Sequence, residues 1–359
     1  MVMRLIAGVA LCVMATTTRL DAQVRPFVFA ADERVSLKPD GSYVFNHTDG
    51  GLVFEAQVAP DVQIVGNLSA QLAKVLGADR PTVRGYSLYA TPMFRLRMFK
   101  EESNPVRTPS YMPKLSLQVA WLKNLSTETD PSRRYDGPIR MILVHTVPFG
   151  HHSNGQNGCL MIGQQRPDCE PKETEVPFVR AFNTENGSFS TNYVRGGISY
   201  HRLHPRGDIP EDESEDLGWT TKREWSVGLT AELNPKGFVG GSLSDELRLI
   251  YGATRVELQI EGAIRDMSVR LGKLRFSCGR AAVSSTVRYI HGTLSNLRFG
   301  GNAEALCLPK GWGGTGLFLR YVDGQDYYNL NFATRIRRLQ FGFTFDQPKF
   351  LMFALPSMG

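Results

Sequence analysis

Beyond its N-terminal stretch the sequence contains no apolar run of eighteen or more residues, so it offers no helix long enough to cross a membrane. Cysteine is scarce, five in 359 residues, which excludes a small scaffold built on disulfides. Glycine is more plentiful at 35 residues but never falls into a period of three, and this excludes a collagen-like chain. Neither charge sign dominates: 41 Lys and Arg face 35 Asp and Glu, and no basic patch interleaved with aromatics forms a nucleic-acid surface. Internal repeats and glycine-rich phosphate loops are also missing. With 42% hydrophobic and 10% aromatic residues, the chain is nevertheless too apolar to be disordered.

The N-terminus reads as an export signal. Met1 to Arg4 give a short basic start, Leu5 to Met14 an apolar run too short to span, and Ala22 a small residue at the cut, so residues 1–22 are expected to be removed. Cys12 leaves with them, and Cys159, Cys169, Cys278 and Cys307 remain. An even number in an exported chain favours two disulfides; of the three pairings, Cys159 with Cys169 and Cys278 with Cys307 is the sequence-local choice.

What recurs afterwards has period two. Leu115, Leu117, Val119 and Trp121 alternate with polar or small residues, as do Trp225, Val227, Leu229 and Leu233, then Val256, Leu258 and Ile260, then Leu339, Phe341, Phe343 and Phe345. Ile139, Met141, Leu143, His145, Val147 and Phe149 form a further stripe, read here as facing lipid. Arg, Glu, Gln, Ser and Gly fill the opposite faces, as a narrow lumen of paired polar groups requires, whereas a soluble sandwich could carry any mixture there. Further strands are expected near 52–59, 62–70, 85–98, 192–201, 248–253, 268–277, 284–291 and 315–322. The fold class is therefore all-β, a transmembrane antiparallel β-barrel of twelve strands. It is expected over 43–350, after a periplasmic segment at 23–42 and before a tail at 351–359. The two longest connections, 155–187 and the acidic run 208–216, are both expected outside the cell.

Chemistry concentrates in His151-His152-Ser153-Asn154-Gly155. On an extended strand His151 and Ser153 share a face, and this is read as the odd-numbered face of Met141, Leu143 and Val147, on the outer wall. A histidine beside a serine can activate the hydroxyl if a third group fixes the imidazole, and Asn192, at the head of another lipid-facing stripe, is the candidate. His152 points the other way and is expected to be lumenal or hydrogen-bonded.

Three ordered blocks resemble the outer-membrane phospholipase A family. They are Glu102-Ser103-Asn104-Pro105-Val106-Arg107, the His151-x-Ser153-Asn154-Gly155 strand, and Ser188-x-Ser190-x-Asn192, with Tyr328-Asn329 and the strand after it also similar. The resemblance is close over 85–200 and 325–350 and thin over 202–324, and the connection between Ser153 and Asn192 is longer than the family's. It implies a twelve-stranded barrel of the bacterial outer membrane with phospholipase A1, A2 and lysophospholipase activity. Ser153 would be the nucleophile, His151 the base, Asn192 its orienter and the Gly155 N–H the oxyanion donor. It also implies calcium, held with Ser103, Gln156, Ser188 and Glu185, and a homodimer that completes the site. Readings of other classes are a non-catalytic barrel, pore or structural, and an esterase acting on other lipids.

Overall fold

Strands can serve a chain in hydrocarbon only if every backbone N–H and C=O finds a partner, which forces the sheet into a ring. The computed structural model describes most of residues 42–345; outside the described residues lie 1–41, 48–51, 60–61, most of 69–80, 100–105, 126–136, 163–181 apart from Pro167, 184–185, 206–220, 239–244, 272–273, 310–314 apart from Trp312, and 346–359. The expected signal segment, the segment at 23–41, the tail, Ser103, Cys169, Glu185 and the acidic run 208–216 are thus outside the described residues.

Fifteen antiparallel strands follow in order: β1 (Ser42–His47), β2 (Leu52–Val58), β3 (Val62–Gly66), β4 (Thr82–Thr91), β5 (Phe94–Phe99), β6 (Val106–Tyr111), β7 (Lys114–Asn124), β8 (Ile139–Ser153), β9 (Ser190–Pro205), β10 (Thr221–Leu233), β11 (Thr254–Leu271), β12 (Leu274–His291), β13 (Phe299–Pro309), β14 (Thr315–Gln325) and β15 (Arg335–Phe345). Six of these are halves of longer staves. Val58 opposite Phe94 leads on to Val62 opposite Ala90, and Phe94 opposite Tyr111 leads on to Thr91 opposite Lys114, so the register runs through each break. The two breaks that lie within the described residues hold Pro92 and Pro113, which cannot donate to a ladder. Joining β2 to β3, β4 to β5 and β6 to β7 turns fifteen strands into twelve staves. Pair by pair the ladder then passes from β1 round to β15, through Tyr111 opposite Ser153 and His151 opposite Asn192, and β15 pairs again with β1.

The faces sort as lipid requires. Leu117, Trp121, Leu229, Ile260, Val287 and Phe341 point outward and are exposed, while the inner wall is held by ion pairs: Arg255–Glu232 and Arg280–Glu224 at 2.6 and 2.8 Å, and Arg97 between Glu55 and Asp326. An apolar exterior over a charged, paired interior is the pattern of a membrane barrel. Cys278 and Cys307 form a disulfide across the neighbouring β12 and β13, and Cys159 is disulfide-bonded as well.

One end of the lumen is filled with hydrocarbon. Leu68 and Val75, both between β3 and β4 in sequence, pack against Val83, Ala120, Leu122, Ile139, Met141, Leu143 and Leu203. Gly85 makes room for this stopper, because a Cβ there would lie 2.8 Å from the Leu68 side chain.

Three expectations are corrected. First, Met141, Leu143 and Val147 face inward and are buried, not lipid-facing. On β8 the step from Val147 to Gly150 matches only Arg195 to Tyr193 on β9, and the step from Thr146 to Phe149 matches only Leu117 to Leu115 on β7. One extra residue, at the turn of chain that holds Pro148, makes a bulge that inverts the alternation beyond it. Second, β9 begins at one end of the barrel with Ser190 and finishes at the other with Pro205, so the chain leaves β8 and β9 at opposite ends and the two connections cannot both be on the outer side as expected; 208–216 itself lies outside the described residues. Third, the expected strand near 248–253 is the end of a helix, Asp245–Tyr251, followed by Gly252 at φ +102°.

Past the bulge Gly150 faces inward directly opposite Tyr193, whose ring occupies the space a Cβ would need. Gly150→Val is expected to destabilise the barrel by about 1–3 kcal/mol, seen as a lower urea midpoint for unfolding in detergent.

Candidate active site

The inversion decides what the last turn of β8 presents. Gly150, His152 and Asn154 are buried on the inner side, while His151 and Ser153 fall on the outer side and are half-buried. The sequence reading thus places these two on the correct wall, but through the wrong stripe.

His151 sits opposite Asn192 on β9, with Nδ1 2.6 Å from Asn192 Oδ1. Asn192 in turn donates from Nδ2 to the carbonyl of Phe238, at 2.9 Å. A carbonyl can only accept, so the amide oxygen must be the atom facing His151, and His151 must carry its proton on Nδ1. Nε2 is left with its lone pair free, the state a general base needs. Ser153 lies two residues on, opposite Tyr111 and Ser190. Among the described residues no hydrogen bond joins its hydroxyl to His151; in substrate-free sites this leg is commonly open and closes on binding.

Asn154 anchors the turn beneath. Its Nδ2 donates to Gly187 O and Asn329 Oδ1, both at 2.7 Å, and its Oδ1 accepts from the backbone N–H of Phe189 at 3.0 Å and of Gln156 at 3.4 Å. Asn329, in the left-handed region at φ +47°, is itself held by Ser110 Oγ at 2.7 Å. Gly155 follows at φ +67°, a conformation that favours glycine, and a Cβ there would lie 3.3 Å from the Tyr111 ring.

His152 lies in an aromatic box of Phe189, Tyr251 and Tyr327, with Nδ1 3.0 Å from Tyr251 OH. Tyr251 donates to Tyr327, which joins Glu232 at 3.1 Å and Arg255 at 2.6 Å. Burial pushes the Tyr251 phenol up to about 12 and Tyr327 well above its ordinary value, so both stay protonated donors. The back of the site is thus connected to the lumen through Tyr251 and Tyr327, while His152 Nε2 is buried with no hydrogen-bond partner among the described residues.

Of the residues expected to hold a metal, Gln156 and Ser188 are brought close, each within one residue of a backbone group bound to Asn154 Oδ1 or bound to it directly. Ser103 and Glu185 lie outside the described residues. Among the described residues no group of three or more His, Cys, Asp or Glu is arranged to hold a metal ion. Gln156 and Ser188 offer neutral oxygens, the atom type calcium prefers, without the carboxylate charge that usually accompanies them. Phe238 and Tyr251 gave no signal as site residues in the sequence; Asn154 and Asn329 lay within segments of the resemblance but without a role.

No protein-family model matches the chain, and no curated protein matches it. Among solved structures it is similar to outer membrane phospholipase A from Escherichia coli, at 12% identity and TM-score 0.42 over 85% of this chain and 92% of that one. It is likewise similar to the Salmonella typhi outer membrane phospholipase dimer with bound calcium, at 12% identity and TM-score 0.42 over 88% of this chain and 96% of that one.

Proposed function

We propose that this barrel is an outer-membrane phospholipase A that cleaves acyl ester bonds of phospholipids on its own outer wall, with calcium and as a homodimer. The observation that carries the reading is the pairing of His151 with Asn192 on the lipid-facing side of the barrel, with Ser153 two residues along the same strand. A water-soluble hydrolase keeps such a group in a cleft open to solvent; here an acyl chain could stay in hydrocarbon while its ester reaches the rim.

In this mechanism Ser153 Oγ attacks the ester carbonyl as His151 Nε2 takes its proton. Asn192 Oδ1 accepts from Nδ1–H throughout and keeps the imidazolium in place. The tetrahedral oxyanion is met by the Gly155 N–H, the donor aligned by the turn at φ +67°. Collapse breaks the bond to the glycerol oxygen, which leaves with the proton from His151, and the acyl group stays on Ser153. Water, activated by the same imidazole, then releases the fatty acid. Calcium, when bound, would add positive charge beside the developing oxyanion, and Ser103, Gln156, Ser188 and Glu185 are the residues that would hold it.

The test is release of labelled fatty acid from phospholipid in mixed detergent micelles by refolded protein. Release with calcium that falls at least tenfold with chelator is expected, about the effect of losing a metal that stabilises transition-state charge. No release under either condition would overturn the enzyme, equal release under both would overturn the metal, and faster turnover of neutral esters would favour an esterase.

A pore is opposed by the Leu68 and Val75 stopper, which closes one end of the lumen, while ion-paired side chains line the cavity above it. Planar-bilayer recordings are expected to show no steady conductance; open channels at physiological salt would reverse this.

A further inference from the structure

We propose that the connection between β10 and β11 is a positioning element for this site, acting through one atom, the carbonyl oxygen of Phe238, which sets the amide of Asn192 and thereby the tautomer of His151. The inference rests on the phospholipase reading for its role in turnover but not for the tautomer itself.

An asparagine side chain has no intrinsic preference for which end faces a histidine. Rotating Asn192 by a half-turn would present Nδ2 to His151 Nδ1, forcing the imidazole to carry its proton on Nε2 and removing the base. Its neighbour in register across the ladder is His151 itself. The 2.9 Å bond from Nδ2 to Phe238 O opposes the half-turn, since the flipped amide would set two carbonyl oxygens against each other.

The carbonyl can do this only if it is held. Asn234 extends the β10–β11 ladder by donating to Ala253 O at 3.0 Å, so Phe238 stands four residues beyond a closed ladder. Its ring lies against Phe149, with centroids 6.3 Å apart, beside the bulge that aims His151 outward. At the far end of the same connection, Leu247 and Tyr251 are buried with Phe189, Leu330 and Phe332. Ladder, ring contact and core thus fix both ends of the connection. The arrangement also accounts for an amide in the orienting position: a carboxylate could accept from His151 but would face Phe238 O with a second negative oxygen.

The experiment compares wild type, Phe238→Leu, Phe238→Gly and a chain whose 238–239 amide is replaced by an ester, which weakens that carbonyl as an acceptor and alters no side chain. Each is refolded in detergent with ¹⁵N-labelled histidine, and the His151 signals are assigned by difference against His151→Gln. Wild type and Phe238→Leu are expected to hold His151 in the Nδ1–H form alone. Phe238→Gly and the ester chain are expected to show both tautomers, with kcat lower by about 10- to 100-fold and KM within about twofold, as a misplaced general base requires. A pure Nδ1–H signal in both altered chains overturns the proposal. A wild type that shows the Nδ1–H form, loses it in the ester chain and yet releases no fatty acid would instead sink the phospholipase reading and leave this one standing.

Discussion

Ser153→Ala is expected to lower phospholipid hydrolysis by ~10⁴-fold or more, to the level of a site that can bind and polarise an ester but not attack it. The serine is half-buried on the outer side of β8 and pairs in register with Tyr111 and Ser190, so trimming its hydroxyl removes no bond that holds the barrel. The variant should therefore refold with an unchanged urea midpoint, and the loss should appear in kcat with KM nearly constant. His151→Ala should be about as damaging, and the double variant no worse than either, because the two act as one unit. Single-turnover release of labelled fatty acid reads the effect directly. Independent, multiplying losses would mean that His151 and Ser153 do not share a proton.

Asn154→Ala is expected to have the second-largest effect, and on both stability and turnover. The side chain is almost wholly buried and serves Gly187 O, Asn329 Oδ1, Phe189 N and Gln156 N. Removing it strands several buried polar groups at ~1–3 kcal/mol each, offset in part by water entering the gap. A net loss of about 3–5 kcal/mol is expected from unfolding in detergent, in the range of other broken buried networks. Turnover should fall by about 10²–10³, because the Gly155 N–H is displaced with the turn. Asn154→Asp keeps the two accepted bonds but sets a buried carboxylate oxygen against Gly187 O and Asn329 Oδ1, so at neutral pH it should be at least as damaging as alanine in both measures.

The exterior was legible because lipid allows little choice. Trp225, Leu229, Leu258, Ile260, Phe341 and Phe343 all face outward as their alternation requires, and charges between them pair along the inner wall with nearby strands. Where a strand departs from strict alternation the reading failed, since period counting has no way to register an inserted residue. Met141, Leu143 and Val147 are apolar for a different reason: they meet the stopper around Leu68 and the inner wall, not lipid. Pro148 was the available sign of the bulge, just as Pro92 and Pro113 were of the breaks in the neighbouring staves. At the site, the closeness of His151 and Asn192 followed from the resemblance, and register supplies its physical basis. Phe238 could not be found this way, because it contributes a backbone atom, and backbone atoms leave no mark in residue identity.

The bulge of β8 makes this protein sensitive to a kind of change unlike substitution. Residues on either side of Pro148 can be exchanged within their chemical class and each will stay on its own wall. Deleting one residue from Val147 to Phe149 would rotate every later position by one face, turning His151 and Ser153 to the lumen and His152 and Asn154 to lipid, with none of the proposed catalytic side chains altered. Relatives of this chain should thus tolerate drift in composition along β8 while conserving its residue count between Thr146 and Gly150, and length there is a better marker of function than identity.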